Sequence, residues 1–323
     1  MKVPSVVLIG NGTAAVRVLH ALRDVGCEVP LVLADPGDRG EDTWRESLVR
    51  HARELGYQDG ATLLQPDNPN DPLICQRVAE VNADLLLSVQ CRRLLAPPLV
   101  TIPKRGAVNL HHAPLPLLRG CDPFAWAIHD GLLFMGVTLH RVEAVGVDDG
   151  PIYATRRWPI RDDTTAWDLY QRALEEDVAL AQESLPAIAS GNLAAVPQDP
   201  RYVTYHPKGQ FPFEDLEVRW TQPARALSAW IRARIFPPLQ VPYFQFRGVR
   251  IEVLRCRATV GRAPAGHVLR TAPLEIAAAD GAIELIEVRW NGQTLSGAEW
   301  AHTVELAPGH SLAEEGSLGP EAR

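Results

Sequence analysis

The stretch Val6-Val7-Leu8-Ile9-Gly10-Asn11-Gly12-Thr13-Ala14-Ala15 reads as a buried strand, a tight glycine turn and the start of a helix. Four successive apolar residues without alternation suit a strand covered on both faces. Residues 31–33, 85–89, 107–110 and 137–139 also read as short buried strands. Helix signals fall between them. Thr43-Trp44-Arg45-Glu46 has the form of a capping box, and Trp44, Leu48, Ala52 and Leu55 then recur on one face. Asp122-Pro123 supplies an N-cap and a proline at the first helical position, with Gly131 where a C-cap belongs. Thr165 opens a long helix whose Leu169, Ala173, Leu174, Ala181, Leu185 and Ile188 form an apolar stripe, ending near Gly191. Strands alternating with helices predict an α/β fold built on an open, mostly parallel sheet with helices on both faces.

The pattern changes after residue 200. Residues 201–217 are rich in proline and aromatics and read as a linker. Residues 221–235 predict one amphipathic helix with Leu227, Trp230, Ile231 and Ile235 on its apolar face. Short strand-like runs follow at 243–246, 249–254, 265–269, 274–278, 283–288 and 294–295, and Asp280-Gly281 and Asn291-Gly292 are hairpin dipeptides. A small β-barrel or sandwich is expected. The expected division is residues 1–204 as a catalytic α/β domain, 205–218 as linker, 219–310 as the small β domain and 311–323 as a frayed tail.

Composition narrows the function classes. With 323 residues and 46% hydrophobic side chains, the chain can build two cores. Five cysteines without a Cys-x-x-Cys argue against a disulfide framework and a zinc ribbon. No apolar run approaches membrane-spanning length and no leader pattern precedes Val6, so the expectation is a cytoplasmic protein without a membrane partner. A net charge of −7 disfavours a surface that grips nucleic acid throughout. The charge is uneven, however: ten arginines between 219 and 270 face one acid, Glu252. Ordinary solvated faces explain this better than a phosphate-binding surface.

Gly10-Asn11-Gly12 after a strand, with Asp35 at the end of the next, is a degenerate dinucleotide fingerprint. A tight strand-to-helix turn explains the glycines equally well, and no hydride-transfer machinery follows, so an NAD oxidoreductase is a minor alternative. His111, His112 and His140 do not have metal-site spacing, because adjacent strand residues point to opposite faces; no metal is expected.

A different constellation carries more. Asn109 and His111 are two apart on a strand and share a face, and Asp148 follows after room for a helix and a return strand. An amide that donates to an oxyanion, an imidazole that takes a proton and a carboxylate that orients it suit acyl transfer. Singly, each residue has a blander explanation, as strand-end cap, core histidine and turn former. Jointly they do not.

The sequence NLHHAPLPLLRG from Asn109 to Gly120, with GVTLHRV from Gly136 and GVDDGPI from Gly146, resembles the 10-formyltetrahydrofolate-dependent formyltransferases. QPDN at 65–68, TYHPK at 204–208 and WTQPA at 220–224 add to the resemblance, which runs over nearly the whole chain. It implies a Rossmann-like transfer domain followed by a small open, OB-like β-barrel. Asn109, His111 and Asp148 would be catalytic. 10-Formyltetrahydrofolate would be the co-substrate, its pterin lying between Ser88, Val89, Gln90, Cys91 and Arg92 on one side and Val142, Val145, Gly146 and Val147 on the other. Arg119, Asp149 and Gly12 are the expected substrate-side residues, Arg119 being either structural or near the substrate.

Ala113, Pro114 and Asp149 depart from the family pattern and bear on the acceptor side; Asp149 is an additional acid that could hold a cationic amine. Members acting on tRNA carry a long basic insertion after the second strand, whereas residues 35–42 here are short and acidic, which repels a phosphate backbone. The expected acceptor is the primary amine of an amino sugar or related small molecule, nucleotide-linked or aminoglycoside-like, with methionyl-tRNA as runner-up. Formimidoyl transfer, hydrolysis of the folate, a non-catalytic folate-binding protein and a homodimer stay open.

Overall fold

The computed structural model describes residues 3–143 and 146–312. In chain order its elements are β1 Val6–Gly10, α1 Gly12–Asp24, β2 Val32–Ala34, α2 Leu48–Glu54, β3 Leu63–Leu64, α3 Pro72–Glu80, β4 Leu85–Val89, β5 Ala107–His111, β6 Arg119–Gly120, α4 Pro123–His129, β7 Phe134–Arg141, β8 Ile152–Pro159, α5 Ala166–Ser190 and β9 Tyr205–His206. Then come α6 Ala224–Arg234, β10 Tyr243–Phe246, β11 Val249–Thr259, β12 Val268–Thr271, β13 Leu274–Ala277, β14 Ala282–Trp290, β15 Gln293–Ser296 and α7 Gly297–Thr303.

The chain divides into two compact units interleaved in sequence: Met1–Pro123, Met135–Trp158 and Gln171–Pro207 form the first, and Phe124–Phe134, Pro159–Tyr170 and Lys208–Arg323 the second. The first holds a seven-stranded sheet of order β3-β2-β1-β4-β5-β7-β8. It is mostly parallel, as expected, but β7 runs antiparallel to β5. The order reverses between β1 and β4. In such sheets the crevice beyond the strand carboxyl ends at that point is where ligands bind. Strands β1, β2 and β4 are buried along their whole length, which is why they lack alternation. Gly10 is glycine for packing: a Cβ there would lie 2.6 Å from the Ala15 Cβ and 2.8 Å from the Val89 carbonyl oxygen.

The expected capping box at Thr43–Glu46 does not form. The helix begins at Leu48, capped by Ser47, whose side chain accepts from the Arg50 amide. Glu46 instead gives its backbone N–H to the Thr13 hydroxyl. At α5 a reciprocal cap does form, with Asp168 N–H donating to Thr165 Oγ1 and Thr165 N–H to the Asp168 carboxylate.

The second unit contains an antiparallel sheet of order β10-β11-β14-β13-β12, with β15 also on β14. Register shifts between Val253 and Cys256 bend β11, as bulges do. The β-barrel expectation is met by a sheet that is open among the described residues. Its core gathers Leu227, Ile231 and Ile235 around α6 with Phe244, Ile283 and Trp300. Helix α6 is shorter than expected because Pro223 stands at its N-cap. Helix α7, absent from the sequence expectation, opens with a capping box between Ser296 and Glu299. Of the expected tail, Ser311 pairs with His267 and Leu312 is buried; the rest lies outside the described residues. At least half of the arginines in the basic segment pair with acids: Arg219 meets Asp215, Arg250 meets Glu252, Arg255 meets Asp168, Arg257 meets Glu284 and Arg270 meets Glu275.

Candidate active site

Register brings the site together. Asn109 lies beside Ser88 of β4 on one side and opposite His140 of β7 on the other, so the three side chains form a row across the sheet. His111 is two residues on, at the end of β5. Asp148 comes from the loop before β8, and its carboxylate meets Asn109, His111 and His140. Its Oδ2 accepts the Gly120 N–H at 2.9 Å and lies 3.6 Å from His111 Nδ1. Its Oδ1 lies 3.4 Å from both His140 Nε2 and Asn109 Nδ2. The expected Asn109, His111 and Asp148 are therefore in one cluster.

The hydrogen-bond network fixes where the protons sit. His111 Nε2–H donates to the Leu118 carbonyl at 3.0 Å, so the neutral ring keeps its lone pair on Nδ1, facing Asp148. His140 Nδ1–H donates to the Arg141 carbonyl at 2.9 Å, leaving Nε2 as an acceptor 3.2 Å from Asn109 Nδ2. Asn109 Nδ2, His140 Nε2 and Asp148 Oδ1 form a nearly equilateral triangle. Seen from the amide nitrogen, its two acceptors are only about 60° apart, far closer than the two hydrogens of a trigonal NH2. Both acceptors therefore compete for one side of the NH2 group. The same reasoning fixes the amide orientation, because its oxygen could not face a carboxylate and an imidazole lone pair.

Burial opposes the charge on Asp148, but His111, His140 and the Gly120 amide outweigh it and hold the carboxyl well below the usual range. His111 is only 8% exposed, and burial lowers its pKa against the upward pull of Asp148 and the Leu118 carbonyl. At neutral pH the centre is a carboxylate beside a neutral imidazole.

A second layer holds Asp148 in place. Its φ is +52°, a region that Asp and Asn tolerate better than other side chains. Gln198 Nε2 donates to the Asp148 and Gly150 carbonyls at 2.7 and 2.8 Å, while its Oε1 accepts from Arg119 Nε and Nη2. Arg119 thus grips the glutamine that clamps the loop. Gly120, at φ +93°, pairs with His206 of β9, and a Cβ there would overlap the His206 carbonyl.

The remaining expected residues are placed as follows. Ser88 and Val89 end β4; Gln90, Cys91 and Arg92 follow it, and Arg92 pairs with Asp35 at 3.7 Å. Val142 donates its amide to the Ala107 carbonyl, and Gly146 and Val147 precede Asp148. Val145 lies outside the described residues. The Asp149 carboxylate lies against Gly146, and Gly12 begins α1 at φ +65° with the Arg45 side chain beside it. Sequence reasoning missed His140 and Gln198 as site residues. For His140 the signal was its place on a strand that pairs with β5; for Gln198 there was none.

Family models match both parts of the chain: formyl transferase over residues 3–185 and formyl transferase, C-terminal domain, over 212–304. Among solved structures, the sugar 3N-formyl transferase WlaRD, in the presence of dTDP and 5-N-formyl-THF, is similar at TM-score 0.68 and 18% identity, covering 91% of this chain and all of that one. The N-formyltransferase from Helicobacter canadensis, in complex with folinic acid and dTDP-3-aminofucose, is similar at TM-score 0.68 and 20% identity, covering 87% and 98%. HypX from Aquifex aeolicus in complex with tetrahydrofolic acid is similar at TM-score 0.56 and 18% identity, covering 91% of this chain and 46% of that one. With the N-terminal family model matching more than half of its length, this chain belongs to the formyl transferase family.

Proposed function

We propose that this chain transfers the formyl group of 10-formyltetrahydrofolate to the primary amine of an amino sugar, with Asn109, His111 and Asp148 as its catalytic residues. The single observation that carries the reading is the convergence of amide, imidazole and carboxylate on one cluster beside the sheet crevice. Family membership supports the reaction. The similarity to structures with folates and dTDP-linked ligands supports the donor and the acceptor class.

The amine nitrogen attacks the formyl carbon and forms a tetrahedral oxyanion. The bond from that carbon to folate N10 then breaks, and the proton lost by the amine ends on N10. Asn109 Nδ2 donates to the oxyanion. His111 Nδ1 takes the amine proton, and the imidazolium formed is held by Asp148 and by the Leu118 carbonyl. Arg119 acts through Gln198 on the Asp148 loop. Asp149 is the acid on the acceptor side, suited to draw in an amine that is protonated in solution.

The test is a transfer assay read by mass spectrometry. Purified protein with 10-formyltetrahydrofolate is offered nucleotide-linked amino sugars, free aminoglycosides and methionyl-tRNA. A formyl adduct on an amino sugar is expected; an adduct on the tRNA alone, or formate release without any acceptor, would overturn the assignment.

A further inference from the structure

Next to the candidate site lies a second polar chain that the reaction described above does not use. His112 and Asp177 are 3% and 0% exposed, and His112 Nε2 stands 2.7 Å from Asp177 Oδ2. On its other side, His112 Nδ1 is 2.7 Å from the Nε2 of Gln90. Asp177 belongs to α5, His112 follows β5 and Gln90 follows β4, so the chain runs from a covering helix to the crevice end of the sheet.

The polarity of this chain follows from Gln90, whose Nε2 stands against His112 Nδ1 and can only donate. Nδ1 therefore accepts, and the ring carries its proton on Nε2, which donates to Asp177 Oδ2. That leaves the Gln90 carbonyl oxygen turned away from His112, and it has no protein partner among the described residues. Gln90 itself is exposed and holds a left-handed backbone, φ +56°, which a glutamine adopts only when its surroundings impose it. The Asp177 Oδ1 atom is buried with no partner among the described residues, so His112 is what holds this carboxylate. Two buried groups thus fix the rotation of one exposed amide.

We infer that Gln90 is a specificity-determining residue of the donor cleft and that His112 and Asp177 are its positioning residues, presenting the Gln90 oxygen to an N–H of the reduced pterin. This rests on the folate reading given above. A reduced pterin carries ring N–H and amino donors, and desolvating them requires acceptors at fixed positions.

The experiment pairs tetrahydrofolate binding, followed by fluorescence titration, with steady-state transfer kinetics. Gln90→Met keeps the length of the side chain and removes the acceptor. It is expected to raise the Kd and KM of the folate by roughly three- to tenfold, with kcat and the acceptor KM within about twofold, because one neutral hydrogen bond is lost. Gln90→Glu removes the NH2 that meets His112 Nδ1 and sets an acceptor against an acceptor, so it is expected to raise the donor KM as well. Asp177→Asn raises the donor KM in the same direction, and the double variant with Gln90→Met is no worse than Gln90→Met alone, since both act through one contact. An unchanged donor Kd in Gln90→Met overturns the inference for Gln90. Additive effects of Gln90→Met and Asp177→Asn reduce the pair to a structural role. Wild-type protein that binds no tetrahydrofolate overturns this inference and the folate reading together.

Discussion

Replacing Asp148 by Asn tests the centre with little backbone disturbance, because Asn tolerates the left-handed φ of +52° as well as Asp does. The substitution removes a charge that His111 Nδ1 sees at 3.6 Å. At the effective dielectric of a partly buried site, a full ion pair at that range corresponds to about 4 kcal/mol. The imidazolium that forms as the amine loses its proton is where this stabilisation is realised. A second loss is geometric. If the new side chain keeps its oxygen on the Gly120 N–H, its NH2 replaces Oδ1, against the Asn109 NH2. One donor then faces another, and Asn109 keeps only the His140 Nε2 acceptor. Together these changes are expected to lower kcat by roughly 10²- to 10³-fold, about 3–4 kcal/mol of barrier.

The assay is single-turnover formyl transfer at saturating donor, run as a pH series. Wild-type activity should fall on the acid side with a pKa below 6.5, since burial lowers His111 and only the neutral ring accepts the proton. Asp148 pulls that pKa upward, so Asp148→Asn should move the acid limb to still lower pH while lowering the plateau. Turnover within about fivefold of wild type in a folded variant would refute the role given to Asp148. A limb that moved to higher pH would refute the assigned contact with His111.

Three further substitutions probe supporting residues, two behind the centre and one in the second unit. Gly120→Ala places a Cβ onto the His206 carbonyl at a backbone φ of +93°; it should displace the amide that holds Asp148 and lower both kcat and the melting temperature, and a normal kcat would show that this amide is dispensable. Gln198→Leu frees the Asp148 and Gly150 carbonyls and the Arg119 guanidinium, so kcat should fall roughly ten- to a hundredfold, as when a supporting partner is lost. A change confined to the acceptor KM would place Arg119 on the substrate instead. In the second unit, Arg234 is 2% exposed, donates to the Pro212 and Trp230 carbonyls, and lies over the Phe211 and Trp230 rings. Burial pushes its pKa down to about 10. Arg234→Met relieves that burial but strands two carbonyls, for a net loss of about 1–3 kcal/mol in urea unfolding, and unchanged stability would deny the arginine an anchoring role.

The parts of this molecule that were legible in the sequence are those set by short-range rules. Strands β1 and β2 are continuous apolar runs because both faces are covered, and Asn109 and His111 share a face because strand residues alternate. The failures have physical causes of the same kind. Thr43 and Glu46 have the right types and spacing for a capping box, yet Glu46 is drawn to the Thr13 hydroxyl, a residue 33 positions away, and Ser47 takes the cap. His140 is invisible as a site residue until the antiparallel register of β5 and β7 sets it opposite Asn109. Gln198 is less accessible still, because it acts through main-chain carbonyls that any residue would offer at 148 and 150. The partners of the arginine-rich segment were equally hidden, since acids as distant in sequence as Asp168 and Glu284 pair with it.

Backbone conformation links the two polar chains of the first unit. Gln90, Leu118 and Asp148 all have positive φ, at +56°, +60° and +52°, and each stands in a loop of the candidate site. A left-handed non-glycine residue costs on the order of 1 kcal/mol, and leucine gains no compensating local hydrogen bond from its side chain. Each is held by a specific partner: Gln90 by His112, Leu118 by its N–H to the Thr204 hydroxyl, and Asp148 by Gln198 and Gly120. In return, each presents a polar atom that an ordinary loop conformation would turn elsewhere. The Leu118 carbonyl sets the His111 tautomer, the Asp148 carboxylate meets both imidazoles, and the Gln90 oxygen stays available to a ligand. The strain therefore lies in the residues that orient the reacting groups, while Asn109 and His111 themselves sit on a regular strand whose sheet register fixes them.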